Sequence, residues 1–170
     1  MTGQSIPMRP RTIISGAQTG VDRAALDAAI ACGLACGGSI PRGRLAEDGP
    51  VSRRYTRLAE LKTNVYAART RRNVLDADAT LILCPGAPEG GTALTARLAA
   101  KHKKPLLVVD IGREPDASAI RLIRAWLASH DPAVLNVAGP RESRFPGLYE
   151  RARKLLEKLF REMQAVKKRG

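Results

Sequence analysis

The chain has 170 residues, 44% hydrophobic and 4% aromatic, with a formal net charge of +13. That length builds one well-buried core and leaves no room for two ordinary domains, and no apolar run approaches the ~20 residues of a membrane span. The charge invites a phosphorylated ligand or a polyanion, but single-stranded nucleic-acid binders stack bases on aromatic rings, so with so few rings a basic nucleic-acid adaptor rests on charge alone.

Residues 1–10 lack the apolar segment of a signal peptide and read as a flexible segment, which makes the expected location cytoplasmic. Arg11–Ser15 is a short β-rich run ending in "SGAQTG". The helix "VDRAALDAAIACG" follows, closed by Gly33. Gly16, Gln18, Thr19 and Gly20 therefore stand before a helix, where free N–H groups and the positive dipole end suit a phosphate. The spacing is neither GxGxxG nor a Walker loop. Asp22 either stabilises the helix start or accepts hydrogen bonds from a ligand amine or hydroxyl. Arg23, a cation at a helix start, reads as an anion contact or a salt-bridge partner. The alanines of Val21–Cys32 permit close helix approach, from which a homo-oligomer is expected.

"LACGGSIPRG" is a brief strand leaving into a Gly/Pro loop, and Arg42–Thr63 is a long, basic, irregular excursion. Asn64 is a good N-cap for "VYAARTRRNVLDA", on which Arg69 and Arg72 share a face. Arg42 and Arg72 are the expected charge partners of a bound anion, with Arg23 in reserve. "DATLILC" has the near-continuous apolar run of a strand buried on both faces. In the loop "PGAPEGGT", Gly86, Gly90 and Gly91 let the backbone approach a ligand, while Thr92 is placed to cap the helix Ala93–Lys103 and bond a phosphate. "KPLLVVDIG" is another buried strand. Glu114–Ser129 is helical with Ile120, Ile123, Trp126 and Leu127 on one face. "AVLNVAGPRES" brings Asn136, Arg141, Glu142 and Ser143 to a third strand end, and Gly147–Lys168 is a closing amphipathic helix running into a basic tail, 166–170.

Strands alternate with helices about five times, the pattern of a doubly wound α/β domain over residues 11–165, a parallel sheet covered on both faces. Ligands bind such sheets at the carboxyl ends of the strands, so Gly16–Gly20 and Gly86–Thr92 are expected in one cleft there. Chemical reagents are scarce. His102 and His130 fall late in helices, Cys32, Cys36 and Cys84 show no CxxC spacing, and neither HExxH nor a nucleophile elbow is present. No catalytic residue and no metal ligand is assigned.

Taken in order, "IISGAQTGVDRAALDAAIACGL", "GGSIPRGRLAEDGPV", "RTRRNVLDADATLILCPGAPEGGTALT", "KPLLVVD" and "VLNVAGPRESRFPGLYE" resemble the molybdenum cofactor carrier protein family over roughly Thr12–Leu156. The resemblance implies a Rossmann-like fold, binding of the molybdenum cofactor (molybdopterin) through its phosphate, and a homo-oligomer, dimer or tetramer. More distantly the chain is similar to the lysine-decarboxylase-like phosphoribohydrolases, whose PGGxGTxxE motif ends in a catalytic Glu. Here Thr95 stands at that position, and a hydroxyl is too weak an acid to replace a carboxylate near neutral pH. The leading expectation is a non-catalytic binding protein. A nucleotide hydrolase using Glu89, or Glu47 and Asp48, is the alternative.

Overall fold

The computed structural model describes residues 10–167, with side chains to residue 165. The segments 1–10 and 166–170, read as flexible and as a basic tail, lie almost entirely outside the described residues. In chain order the elements are β1 (Thr12–Ile14), α1 (Val21–Ala31), β2 (Ala35–Ile40), β3 (Leu45–Ala46), β4 (Gly49–Pro50), β5 (Leu58–Glu60), α2 (Tyr66–Asp76), β6 (Ala79–Cys84), α3 (Gly90–Lys101), β7 (Leu106–Asp110), α4 (Asp116–His130), β8 (Val134–Ala138) and α5 (Leu148–Lys167). No helix among the described residues is long and apolar enough to cross a membrane.

Six strands form one parallel sheet in the order β5-β2-β1-β8-β6-β7. The sixth strand beyond the five expected is β5, from inside the excursion that the sequence presents as irregular. Its three residues, Leu-Ala-Glu, are too few and too polar to show a period, and β5 is held instead by pairing with β2, Gly38 opposite Leu58. The rest of the excursion is also built. β3 and β4 make a short antiparallel hairpin. Arg44 donates from Nε to the Val51 carbonyl at 2.8 Å and from Nη2 to that of Ser52 at 2.9 Å. Ala46, Val51 and Tyr55 close a small second core over Ala17, Leu26 and Ile40.

The chain winds from β1 outward to β5, jumps to β6 and β7, and returns to fill the gap with β8. Begun at β8 instead, it would run β8, β1, β2, β5 outward without a skip, and then β6 and β7 on the other side. The last strand–helix unit thus holds the place of a first one. The end of α5 agrees with this: Gln164 Nε2 donates to the Cys32 carbonyl at 2.8 Å, beside the edge where β1 begins.

One face of the sheet packs α1, α4 and α5 through Ile13, Leu81, Leu83, Leu135 and Val137. Ile120, Ile123 and Leu127 of α4 are buried there, and Trp126 is half-buried. Ala24, Ala25, Ala28 and Ala29 are fully buried in the same core, where their small size lets α1 lie close to α5 and the sheet. The alanine stripe is therefore intramolecular packing and lends no support to an oligomer. The opposite face, under α2 and α3, carries polar groups: Ser39, Asn73, Thr80 and Asn136 are buried there.

Candidate functional site

That polar face opens into a cleft of about 540 Å³ at the carboxyl ends of β1, β6 and β8. β8 lies between β1 and β6, so the two glycine loops are not on adjacent strands, yet Gly16 and Gln18 on one side and Gly90–Thr92 on the other line the same cleft. Its volume is that of a small-molecule site.

The helix that faces this cleft starts earlier than its composition suggests. α3 begins at Gly90, not Ala93, with Glu89 as the flanking residue and no side-chain cap. Thr92 therefore sits in the first turn, its N–H bonded to the Glu89 carbonyl at 3.0 Å, and it caps nothing. Gly90 and Gly91 precede the first amide that finds a partner within the helix, so their N–H groups and the positive end of α3 face the loop region. Gly86 lies outside the lining, and its amide is taken by Asp110 Oδ1 at 2.8 Å. Its φ of +71° makes it a turn residue.

The loop after β1 divides in the same way. Gly16, Gln18 and Asp22 line the cleft, whereas Thr19, Gly20 and Arg23 lie behind it. Thr19 bonds the Glu47 carboxylate and accepts the Glu142 N–H at 3.2 Å, tying three loops together. At Gly20 a Cβ would overlap the Pro140 carbonyl and reach within 2.9 Å of the Glu142 nitrogen, so this glycine serves close packing of the first loop on the last. Arg23 pairs with Asp48 at 2.5 Å, the salt-bridge half of the two roles open to it.

The positive charge comes from other arginines than those the sequence suggests. Arg42 is exposed, and Arg72 pairs with Asp76 on its own helix at 2.8 Å; neither lines the cleft. Arg69 does, nearly buried, donating to the Gly16 carbonyl at 2.7 Å and standing 3.7 Å from the Asp22 carboxylate. Arg141 and Arg144 line the mouth. The Arg69 and Arg141 guanidiniums both lie over the Tyr66 ring, at 5.5 and 5.4 Å from its centre, and Arg144 bonds the Glu89 carboxylate across the opening. The readable signal is the spacing Tyr66, Arg69, Thr70, Asn73, which is i, i+3, i+4, i+7: a polar stripe on the inward face of α2. The flanking residue of α2 is Val65, and Asn64 is exposed without capping it.

Three groups in this wall are electrostatically unfinished. Gln18 Nε2 and Arg69 Nε are buried with no partner. Asp22 is buried, and desolvation pushes its carboxyl up to about 6 despite Arg69 and the backbone N–H groups of Gln18 and Gly139, which pull it down. An unmet buried donor costs about 1–3 kcal/mol, so two on one wall describe a site made for an acceptor-bearing ligand.

Gly16→Ala tests how the wall is held. A Cβ there would overlap the Arg69 side chain, whose Cζ would be 2.7 Å away. The neighbour is the end of a flexible side chain, so the expected cost is about 1–2 kcal/mol of stability. Thermal melts with and without phosphate should show a folded variant that has lost its ligand-induced rise in Tm.

No curated protein matches the chain. Among solved structures, the crystal structure of a "Putative molybdenum carrier protein" from Syntrophus aciditrophicus SB superposes with a TM-score of 0.85 at 47% identity, covering 88% of this chain and 94% of that one. Residues 13–160 match the model of the circularly permutated YpsA SLOG family, which agrees with a last strand–helix unit standing in the place of a first. The match spans most of the chain, and the protein belongs to that circularly permutated YpsA SLOG family.

Proposed function

We propose that this protein is a carrier or binding protein for a phosphorylated pterin or nucleotide-like ligand held at the carboxyl edge of the sheet, with molybdenum cofactor as the favoured cargo. The molybdenum link is supported by the name of the Syntrophus aciditrophicus relative. One observation carries the site: the opening of α3 at Gly90 and Gly91 faces the same cleft as Arg69 and Arg141, beside the unmet donors on Gln18 and Arg69. A phosphate supplies acceptors for the amides and guanidiniums, and a flat heterocycle supplies ring atoms for the half-buried Tyr66 and Phe145. The groups present therefore fit molybdopterin as ligand.

Mass spectrometry of ligand retained by gently purified protein tests the cargo, with a pterin as the expected finding. Phosphate titration tests the cradle. Arg141→Ala is expected to weaken binding about tenfold, the effect of one charge-assisted contact, while Arg42→Ala and Arg72→Ala bind as the parent does. Equal affinities in all three variants would return the anion to the backbone alone.

A second reading, a phosphoribohydrolase-like enzyme, is favoured by Asp22, a buried cleft carboxyl poised near neutrality. The other candidate acids are engaged: Glu89 with Arg144, Glu47 with Thr19 and Ser143, Asp48 with Arg23. Release of free base from nucleoside monophosphates would establish it.

A further inference from the structure

We infer that the wall formed by Gln18 and Asp22 reads a 2-amino-4-oxo-pyrimidine edge, the C=O, N–H, NH₂ face that pterins share with guanine. This rests on the reading of the cleft as the site of a phosphorylated heterocycle and names the heterocycle's class.

The orientation of Gln18 is fixed by the protein. Its Oε1 accepts the N–H groups of Thr19 at 3.1 Å and Glu47 at 2.8 Å. Turning the amide over would set its NH₂ against both of those donors, so Nε2 is the free end, and it is buried without a partner. Gln18 is 4% exposed and lines the cleft. Four residues on, Asp22 is 7% exposed and lines it too. An ionised carboxylate is acceptor-only with about four lone-pair positions, and the backbone N–H groups of Gln18 and Gly139 that favour the Asp22 anion leave part of that capacity open. Between Gln18 and Asp22 the wall thus sets the free Gln18 donor beside a carboxylate with acceptor capacity left, the Arg69 guanidinium standing 3.7 Å from that carboxylate.

The complementary edge presents an acceptor beside donors. Guanine and pterin do so, with the carbonyl for Nε2 and the ring N–H and amino group for the carboxylate. Hypoxanthine keeps the carbonyl and ring N–H but lacks the amino group. Adenine reverses the pattern: its amino group meets the Gln18 donor, and its ring nitrogen lone pair meets the carboxylate. A site built around hydrogen bonds rejects such a mismatch because its own buried groups are left unpaired. Burial raises the proton affinity of Asp22 more than Arg69 and the backbone donors lower it, as expected of a carboxylate that awaits further donors.

The test is a calorimetric comparison of inorganic phosphate, AMP, IMP, GMP and neopterin monophosphate on the full chain at pH 8, where Asp22 is ionised. GMP and neopterin monophosphate should each bind at least about 30-fold more tightly than AMP, with IMP between, as one or two charge-assisted bonds require. Asp22→Asn should remove that preference while the variant still binds inorganic phosphate and unfolds in one cooperative transition, which certifies the fold. Gln18→Glu, which keeps the Oε1 contacts and turns the free donor into an acceptor, should lower the preference independently. A tighter neopterin monophosphate than GMP assigns the edge to a pterin, and the reverse to a guanine nucleotide. If phosphate and all nucleotides bind but AMP matches GMP, the inference falls and the anion cradle stands. If nothing binds, including phosphate, the cradle falls with it.

Discussion

Arg69→Met is expected to lower stability by about 2–3 kcal/mol at pH 7 and to abolish measurable phosphate binding. The side chain is 8% exposed and serves three neighbours at once: the Gly16 carbonyl at 2.7 Å, the Asp22 carboxylate at 3.7 Å and the Tyr66 ring. Removing one partner of a buried ion pair commonly costs about 3–5 kcal/mol, because the other is left charged and alone. Here that cost has a ceiling. Asp22 already sits at about 6, so taking up a proton at pH 7 costs it only about 1.4 kcal/mol, and the variant will do so. The lost bond to Gly16 adds about 1.5–3 kcal/mol, and removal of the unmet Nε donor returns part of it. For a chain of this size the expected fall in Tm is roughly 5–10 °C. The check is a pair of denaturation curves at pH 6 and pH 8.5. The deficit should be larger at the higher pH, where protonation no longer shelters Asp22, and a pH-independent deficit would remove the ion pair from the account.

Arg69 also marks the limit of what the sequence discloses. The class of fold is legible because "DATLILC" and "KPLLVVD" have the composition of strands buried on both faces and helices alternate with them. The carboxyl-edge position of the site follows from that class. The strand order does not follow. Nothing local in "AVLNVAG" says that it inserts between β1 and β6, because that placement is decided by which faces remain to be covered once the other strands have paired. Likewise β5 exists only through its partner β2.

Within the site, Gly16, Gly90, Gly91 and Asp22 declare themselves by type and place, whereas Gly20 and Gly86, which look the same in the sequence, serve packing and a turn outside the cleft, and Arg69 does not declare itself at all. Arg69 and Arg72 look equivalent along the helix, three apart, and which one turns inward depends on where α2 meets the sheet. The neighbours decide it: Tyr66 and Asn73 share Arg69's face and line the cleft, and Asn73 bonds Ser39 of β2 through both amide atoms, at 2.7 and 3.0 Å, which fixes the rotation of the helix. Arg72 on the outer face is then left to Asp76, one turn along. Arg42 is separated from the cleft by the excursion's own structure. Its 3₁₀ turn and the Arg44 bonds to Val51 and Ser52 direct the segment to the small second core, over the β5 side of the sheet. A basic run between a strand and a helix carried no information about that tertiary closure.

The charge on Asp22 is expected to cost the fold about 3 kcal/mol at neutral pH, and the cost should vanish on ligand binding. Its carboxyl is raised from 3.8 to about 6 because burial penalises the anion more than Arg69 and the two backbone donors favour it. The native state therefore binds a proton more tightly than the unfolded chain, and between those two values it holds more protons. Stability contributed by neutral Asp22 is complete below 3.8 and is lost as pH rises through about 6. Other carboxylates act in the opposite sense: hydrogen bonds hold Glu47, Asp48 and Asp110 below the usual range, and what they contribute is lost on acidification. The total pH profile mixes both signs, so the measurement is a difference. Urea denaturation of the parent and of Asp22→Asn at intervals from pH 4 to pH 8 should show the parent losing about 2.4 kcal/mol relative to the variant across that span, with the steepest change near pH 5, midway between the unfolded and native values, and a plateau above about pH 7. Shape and hydrogen-bond differences between Asp and Asn cancel in the slope. Repeating the series with saturating GMP or neopterin monophosphate should flatten it, since donors from the bound heterocycle replace the water that Asp22 gave up on folding. A slope that persists unchanged in the complex would mean that the ligand never reaches this carboxylate, and that the isolated charge is a cost of the wall alone.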